Sequence, residues 1–241
     1  MSFAIYTNMR FLFRSLLLLW GSVLCLTDGP RISAILTGQS QSFSLFLAVA
    51  WVSMMVSILL RFFPSRTESM GAQREHGENY RPRASVDREK LAAAIRRSNR
   101  DALKALAFWL ALNALVGWLY VARKISAAIL LLISLFYNLA DLICIKFFCP
   151  FQRWIMSNRC CTTCRIYNWD HMMIHTPALL IPHPAAIPLW LGSALLALRW
   201  EWRWYRYPER FLELTNESLA CAACRHPGSC QSCVRKKKKA T

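Results

Sequence analysis

MMIHTPALLIPHPAAIPLWLGSALLAL, residues 172–198, is apolar enough to enter a membrane, yet Pro177, Pro182, Pro184 and Pro188 interrupt it and His183 sits near its middle. A proline inside a helix removes a hydrogen bond and clashes with the preceding turn, which argues against one straight crossing. Two readings follow: a kinked fifth span, or two half-length helices, residues 172–181 and 186–198, that dip in and return on the same side. At roughly 1.5 Å per residue neither half crosses a bilayer alone. Charge on the flanking segments decides between them.

Upstream, four further apolar segments have the length of membrane helices. Residues 11–27 form the first, with Arg14 near its start and the turn-forming Asp28-Gly29-Pro30 closing it. Val23 and Leu24 before Cys25 suit neither a small-residue cleavage site nor a lipoprotein site, so a retained anchor is expected rather than a signal peptide. Residues 43–63 form the second, ended by Pro64, and residues 102–121 and 125–148 the third and fourth. Arg123 and Lys124 leave room only for a tight turn between the last two, which predicts an antiparallel hairpin. Between spans two and three, residues 65–101 read as a partly disordered basic loop. From Asp87 onward Leu91, Ile95, Ser98 and Ala102 recur at helical spacing, so a helix is expected to run straight into the third span.

That loop carries Arg66, Arg74, Arg81, Arg83, Arg88, Lys90, Arg96, Arg97 and Arg100, and the positive-inside rule places it, with the N-terminus, in the cytosol. The next two spans return Cys149 to the same side, where Lys146, Arg153, Arg159 and Arg165 cluster. A crossing by residues 172–198 would put Arg199, Arg203, Arg206, Arg210 and Lys236 to Lys239 outside, against the rule; the dipping hairpin keeps them inside with the C-terminus. The expected fold is therefore an all-α integral membrane protein of about four transmembrane helices plus a proline-broken re-entrant or interfacial hairpin. Its segments are a two-helix hairpin (1–63), a basic loop and helix (64–101), a second hairpin (102–148), a cysteine-rich cytosolic segment (149–171), the broken hairpin (172–198), and an aromatic-basic segment with a cysteine-rich tail (199–241). A net charge of +17 on a chain that is 55% hydrophobic fits basic loops against anionic lipid headgroups better than nucleic acid, whose binders gather charge on one soluble module. After the hairpin, Arg199, Trp200, Trp202, Arg203 and Trp204 interleave rings with guanidiniums, the composition of an anchor at headgroup level.

Eight of the ten cysteines fall in two groups: Cys149, Cys160, Cys161 and Cys164, and then Cys221, Cys224, Cys230 and Cys233 as two CxxC pairs five residues apart. In the cytosol such thiols stay reduced, which points to metal ligation by zinc or an iron-sulfur cluster rather than to disulfides. The gap between the CxxC pairs is shorter than in zinc ribbons, and the first group matches no ferredoxin spacing, so the metal stays open. The plainer reading of the first group is small thiols packed as core. Asp170, His171 and His175 follow directly; the histidines lie four apart on one helical face and are candidate additional ligands, although a histidine at such a boundary is more often hydrogen-bonded structure. Within the fourth span Asp141, with Asn138 one turn before it, is a candidate ion or proton relay, set against a carboxylate that reaches toward Lys146 or interfacial water.

Three function classes follow. One is a membrane redox protein with cysteine-ligated iron-sulfur centres; the second is a partner-docking scaffold whose cytosolic segments, too short to bury a core, are cross-linked by zinc. The third is a small transporter using Asp141 and the broken hairpin. Absence of GxGxxG, P-loop, GxSxG and HExxH patterns leaves nothing that nominates nucleotide use or hydrolysis, and whether the chain is an enzyme is left open.

Overall fold

A computed structural model describes residues 3–220 except 43, 66, 67, 85 and 159, and the described chain is all-helical, with no strand. Its helices are α1 (Phe3–Leu36), α2 (Leu45–Arg61), α3 (Met70–Gln73), α4 (Arg88–Val121), α5 (Ala127–Lys146), α6 (Asp170–His175) and α7 (Ala186–Arg206). By length and composition α1, α4 and α5 can each cross a membrane, while α2 is apolar but shorter, at 17 residues.

Asp28-Gly29-Pro30 does not end α1 as expected; the helix kinks there and continues to Leu36. Asp28 takes a non-helical conformation (φ −141°, ψ 30°), and Pro30 then falls in the first turn of the resumed helix, where its missing N–H costs nothing. The chain leaves α1 through Gly38, at φ 74°, a left-handed conformation that glycine adopts without steric penalty. The run from Asp87 into the third span is as expected: α4 is one 34-residue helix, capped by the Asp87 carboxylate, which accepts from Glu89 N at 2.9 Å and Lys90 N at 3.3 Å.

The tight turn after α4 is present, with Arg123 at φ 57°, but the closest partner of α5 is α1. The two run antiparallel, from Ser33 Oγ accepting from Ala128 N (3.3 Å) at one end to the Lys146 ammonium over the Phe11 ring (4.9 Å) at the other. Gly21 permits this approach, since a Cβ there would lie 2.8 Å from Phe46 Cζ and 3.1 Å from Leu135 Cδ1. Between α4 and α5 the broken segment is wedged: Trp109 Nε1 donates to Thr176 Oγ1 at 3.4 Å, and Ile181 packs in one cluster with Val116 and Leu130.

That segment is a helical hairpin whose limbs begin and end at the same end of the bundle. Asp170 pairs with Arg61 (2.8 Å), Leu180 and Ile181 reach the level of Leu36, Ala185 O accepts from Trp51 Nε1 (2.7 Å), and Arg199 returns to donate to Arg61 O (3.0 Å). The break lies at residues 181–185, where Ile181 is extended (φ −88°, ψ 115°) as the residue before a proline prefers to be. The return limb is longer than expected: α7 runs on past 198 to Arg206 because Leu189, Ser193, Leu196, Trp200 and Trp204 keep one face buried.

This lengthening corrects the anchor reading. Trp200 and Trp204 are buried and pack edge-on against Phe211 (4.8 and 5.4 Å), and the Arg199 and Arg203 guanidiniums turn inward to Glu75 (2.6 and 3.7 Å). Of the five predicted residues, only Trp202 is an exposed ring. Residues 65–101 are not simply a loop either, because Met70, Ala72, Gln73, Arg74 and Glu75 are buried beneath the segments that follow α5 and α7. Together these segments form a cap over the Arg61 end with its own aromatic core. Periodicity missed this core because arginine, glutamate and glutamine, not aliphatic residues, bind it together.

Candidate functional site

Where the cap meets α4, α5 and α6 lies a cavity of about 140 Å³ with almost wholly apolar walls. Cys144 and Asp141 reach it from the last turns of α5, Cys149 from the exit of that helix, and Cys164 and Tyr167 from the connection that follows. Trp109 of α4 and Tyr137 of α5 meet edge-on at 5.0 Å in its wall. Cys144 and Cys149 share a side-chain hydrogen bond, and Cys149 Sγ also accepts from Gln152 N at 3.4 Å. Burial pushes the Cys164 thiol up to about 11, so it stays protonated at neutral pH.

The first predicted cysteine group is therefore only partly gathered. Cys149 and Cys164 share the cavity; Cys160 is buried outside its lining, where its sulfur accepts from Thr162 Oγ1 at 3.2 Å. Cys144, which belongs to neither group, is the thiol that the sequence reading passed over. Its signal was modest: a cysteine in the last turns of a span, five positions before Cys149. Among the described residues no group of three or more His, Cys, Asp or Glu side chains is arranged to hold a metal ion. Cys221, Cys224, Cys230 and Cys233 lie outside the described residues, as does the side chain of Cys161.

His171 and His175 do share a face, with rings parallel within 5° and centroids 6.2 Å apart, but Asp170 turns away from them to Arg61. The tautomer of His175 follows from its neighbours. Ser193 Oγ gives its one proton to Leu189 O (2.7 Å), so His175 Nδ1 carries the hydrogen shared with Ser193 Oγ (2.9 Å) and His171 O (2.7 Å). These are the bonds of a histidine that fixes the hairpin, tying α6 to α7.

Asp141 does not reach toward Lys146. Its partner is Arg14 of α1, at 3.2 Å, whose guanidinium also donates to Asn138 O at 2.6 Å. Beside it Arg61 pairs with Asp170 (2.8 Å) and Glu68 (3.3 Å), and Arg10 with Glu68 (2.8 Å). Three arginines and three carboxylates are thus ion-paired along one side of the cavity, as the Arg14–Asp141 pair and the Arg10–Glu68–Arg61–Asp170 chain. Burial pushes the Asp170 carboxyl up, while the Arg61 guanidinium pulls it back down. Both cavity-lining carboxylates are thus engaged by arginines. Two sulfurs already in contact can exchange two electrons and two protons by forming one bond.

Compared with known proteins, the chain matches no family model, no curated protein and no solved structure.

Proposed function

We propose that this chain is an integral membrane protein that works as a thiol redox carrier through the Cys144–Cys149 pair. One observation carries the reading: two thiols in hydrogen-bond contact open onto an apolar cavity at the end of a membrane-length helix. Oxidation closes one S–S bond between these two sulfurs. In the proposed topology α2 crosses with α1, α4 and α5, the hairpin of α6 and α7 is re-entrant, both termini are cytosolic, and the basic residues of the cap face anionic lipid. A cytosolic cap would meet the glutathione pool, which favours a dithiol resting state.

Treating the purified, reduced protein with diamide is expected to cross-link Cys144 to Cys149, read by peptide mass spectrometry. Either Cys144→Ser or Cys149→Ser should abolish the cross-link, and Cys25→Ser should leave it intact. Both thiols staying open to maleimide after diamide would defeat the reading.

The two CxxC pairs of the tail favour a second, metal-linked function, with zinc or an iron-sulfur cluster held by Cys221, Cys224, Cys230 and Cys233. Anaerobically purified protein should then carry metal that a Cys221→Ser/Cys224→Ser variant lacks; equal metal in both removes the tail site. Labelling of these cysteines by an impermeant maleimide in unbroken cells would reverse the proposed topology.

A further inference from the structure

Resting on the dithiol reading, we infer that the cavity beside Cys144 and Cys149 seats the oxidant of that pair, and that this oxidant is a membrane quinone presenting its single ring. Size is the first argument: an apolar cavity of about 150 Å³ holds one benzene ring, and this one is about 140 Å³. Shape and chemistry are the second. The Trp109 and Tyr137 rings form one wall and Ile166, Met173 and Ile174 line others, so a flat apolar ring finds van der Waals partners, while the Cys144 and Cys149 thiols, the tyrosine hydroxyls and the Gln152 amide are uncharged hydrogen donors among the lining residues.

Position is the third argument. The cavity lies between two helices long and apolar enough for a membrane, and Phe108 and Phe136 are exposed on their outer faces, so a hydrophobic carrier arrives from the acyl layer. A water-soluble disulfide such as glutathione disulfide fits poorly. Its carboxylates would need free cations, whereas the cavity presents Asp141 and Asp170, and the arginines behind them are already paired.

The exchange balances without a further reactant. Cys144 and Cys149 each lose a hydrogen, one S–S bond forms, and the two electrons and two protons convert the two quinone carbonyls to hydroxyls; hydroquinone leaves.

The test uses the full chain, reduced and anaerobic, in lipid nanodiscs with decylubiquinone. The expected result is one equivalent of hydroquinone per Cys144–Cys149 cross-link, none with Cys144→Ser or Cys149→Ser, and, relative to its own diamide rate, at least a tenfold slower quinone reaction in Ala140→Leu, which enlarges a residue of the cavity lining one turn before Cys144. If diamide closes the disulfide and the quinone is not consumed, the quinone inference falls and the dithiol reading stands. If neither reagent closes it, both fall. Unchanged quinone kinetics in Ala140→Leu, or a mass gain showing quinone bonded to sulfur as a stable end product, would also overturn the inference.

Discussion

Replacing Arg74 with methionine is expected to lower the thermal midpoint of the protein by several degrees, the largest loss from any single change in the cap. The side chain is fully buried, and its guanidinium donates to Thr162 O (2.9 Å), Phe211 O (3.0 Å) and Cys164 O. It also lies over the rings of Trp200 (5.0 Å) and Phe211 (5.4 Å). One planar fork thus joins three stretches of chain that have no ladder or helix to share, and the aromatic faces offset part of the cost of burying its charge. Methionine fills similar space but leaves Thr162 O and Phe211 O without a donor, while Cys164 O keeps Tyr167 N at 3.2 Å. At about 1–3 kcal/mol for each orphaned buried group, the loss is at least about 2 kcal/mol. Lysine keeps the charge without the fork geometry and should recover only part of it. Tryptophan fluorescence during thermal unfolding reads the effect directly, because Trp200 is in contact with the guanidinium. A midpoint in Arg74→Met equal to that of the parent would show that the cap does not depend on this residue.

Arg61→Leu should be comparably damaging for a different reason. Arg61 is buried at the end of α2 between Asp170, at 2.8 Å, and Glu68, at 3.3 Å. Removing it leaves Asp170 a buried carboxylate without its cation, a change that typically costs about 3–5 kcal/mol, whereas exchanging both members of a pair for apolar residues is often nearly neutral. Arg61→Leu/Asp170→Leu should therefore be more stable than Arg61→Leu alone, and the double-mutant cycle should show strong coupling. Acid adds a second signature. Burial already pushes the Asp170 carboxyl up, and without Arg61 it rises further above its unfolded value. The folded variant then binds a proton more readily than the unfolded chain, so its penalty is present at neutral pH and is relieved as pH falls. Additive single-variant losses, or a penalty that grows with acid, would mean that the pair does not hold the hairpin to α2.

These two arginines show where reading along the chain succeeds and stops. Arg61 lies inside residues 43–63, read as the second span, and Arg74 is one of many basic residues in the loop after it; neither looked different from its neighbours. Their partners lie 109 and 137 residues away for Asp170 and Phe211 O, so no local pattern identifies them. The cysteines teach the same lesson. Grouping by spacing drew Cys160 and Cys161 together with Cys149 and Cys164, yet the cavity takes Cys149 and Cys164 and adds Cys144. A span and the connection after it were read as separate units, and the thiol contact crosses that division.

The sequence by itself determined the all-helical, membrane-length segments, the unbroken run of α4 from its Asp87 cap, and the break of the hairpin at Pro182 and Pro184. Each depends on quantities summed over neighbouring residues: hydropathy, helical period, and the stereochemistry of proline. Only the tertiary structure decided that α5 packs along α1, that Arg14 neutralises Asp141, that Trp200 and Trp204 build a core instead of an anchor, and which thiols meet. Those outcomes depend on which helix faces are brought together. A buried charge or thiol takes its partner from whatever the packed neighbour presents there, and that neighbour is distant along the chain.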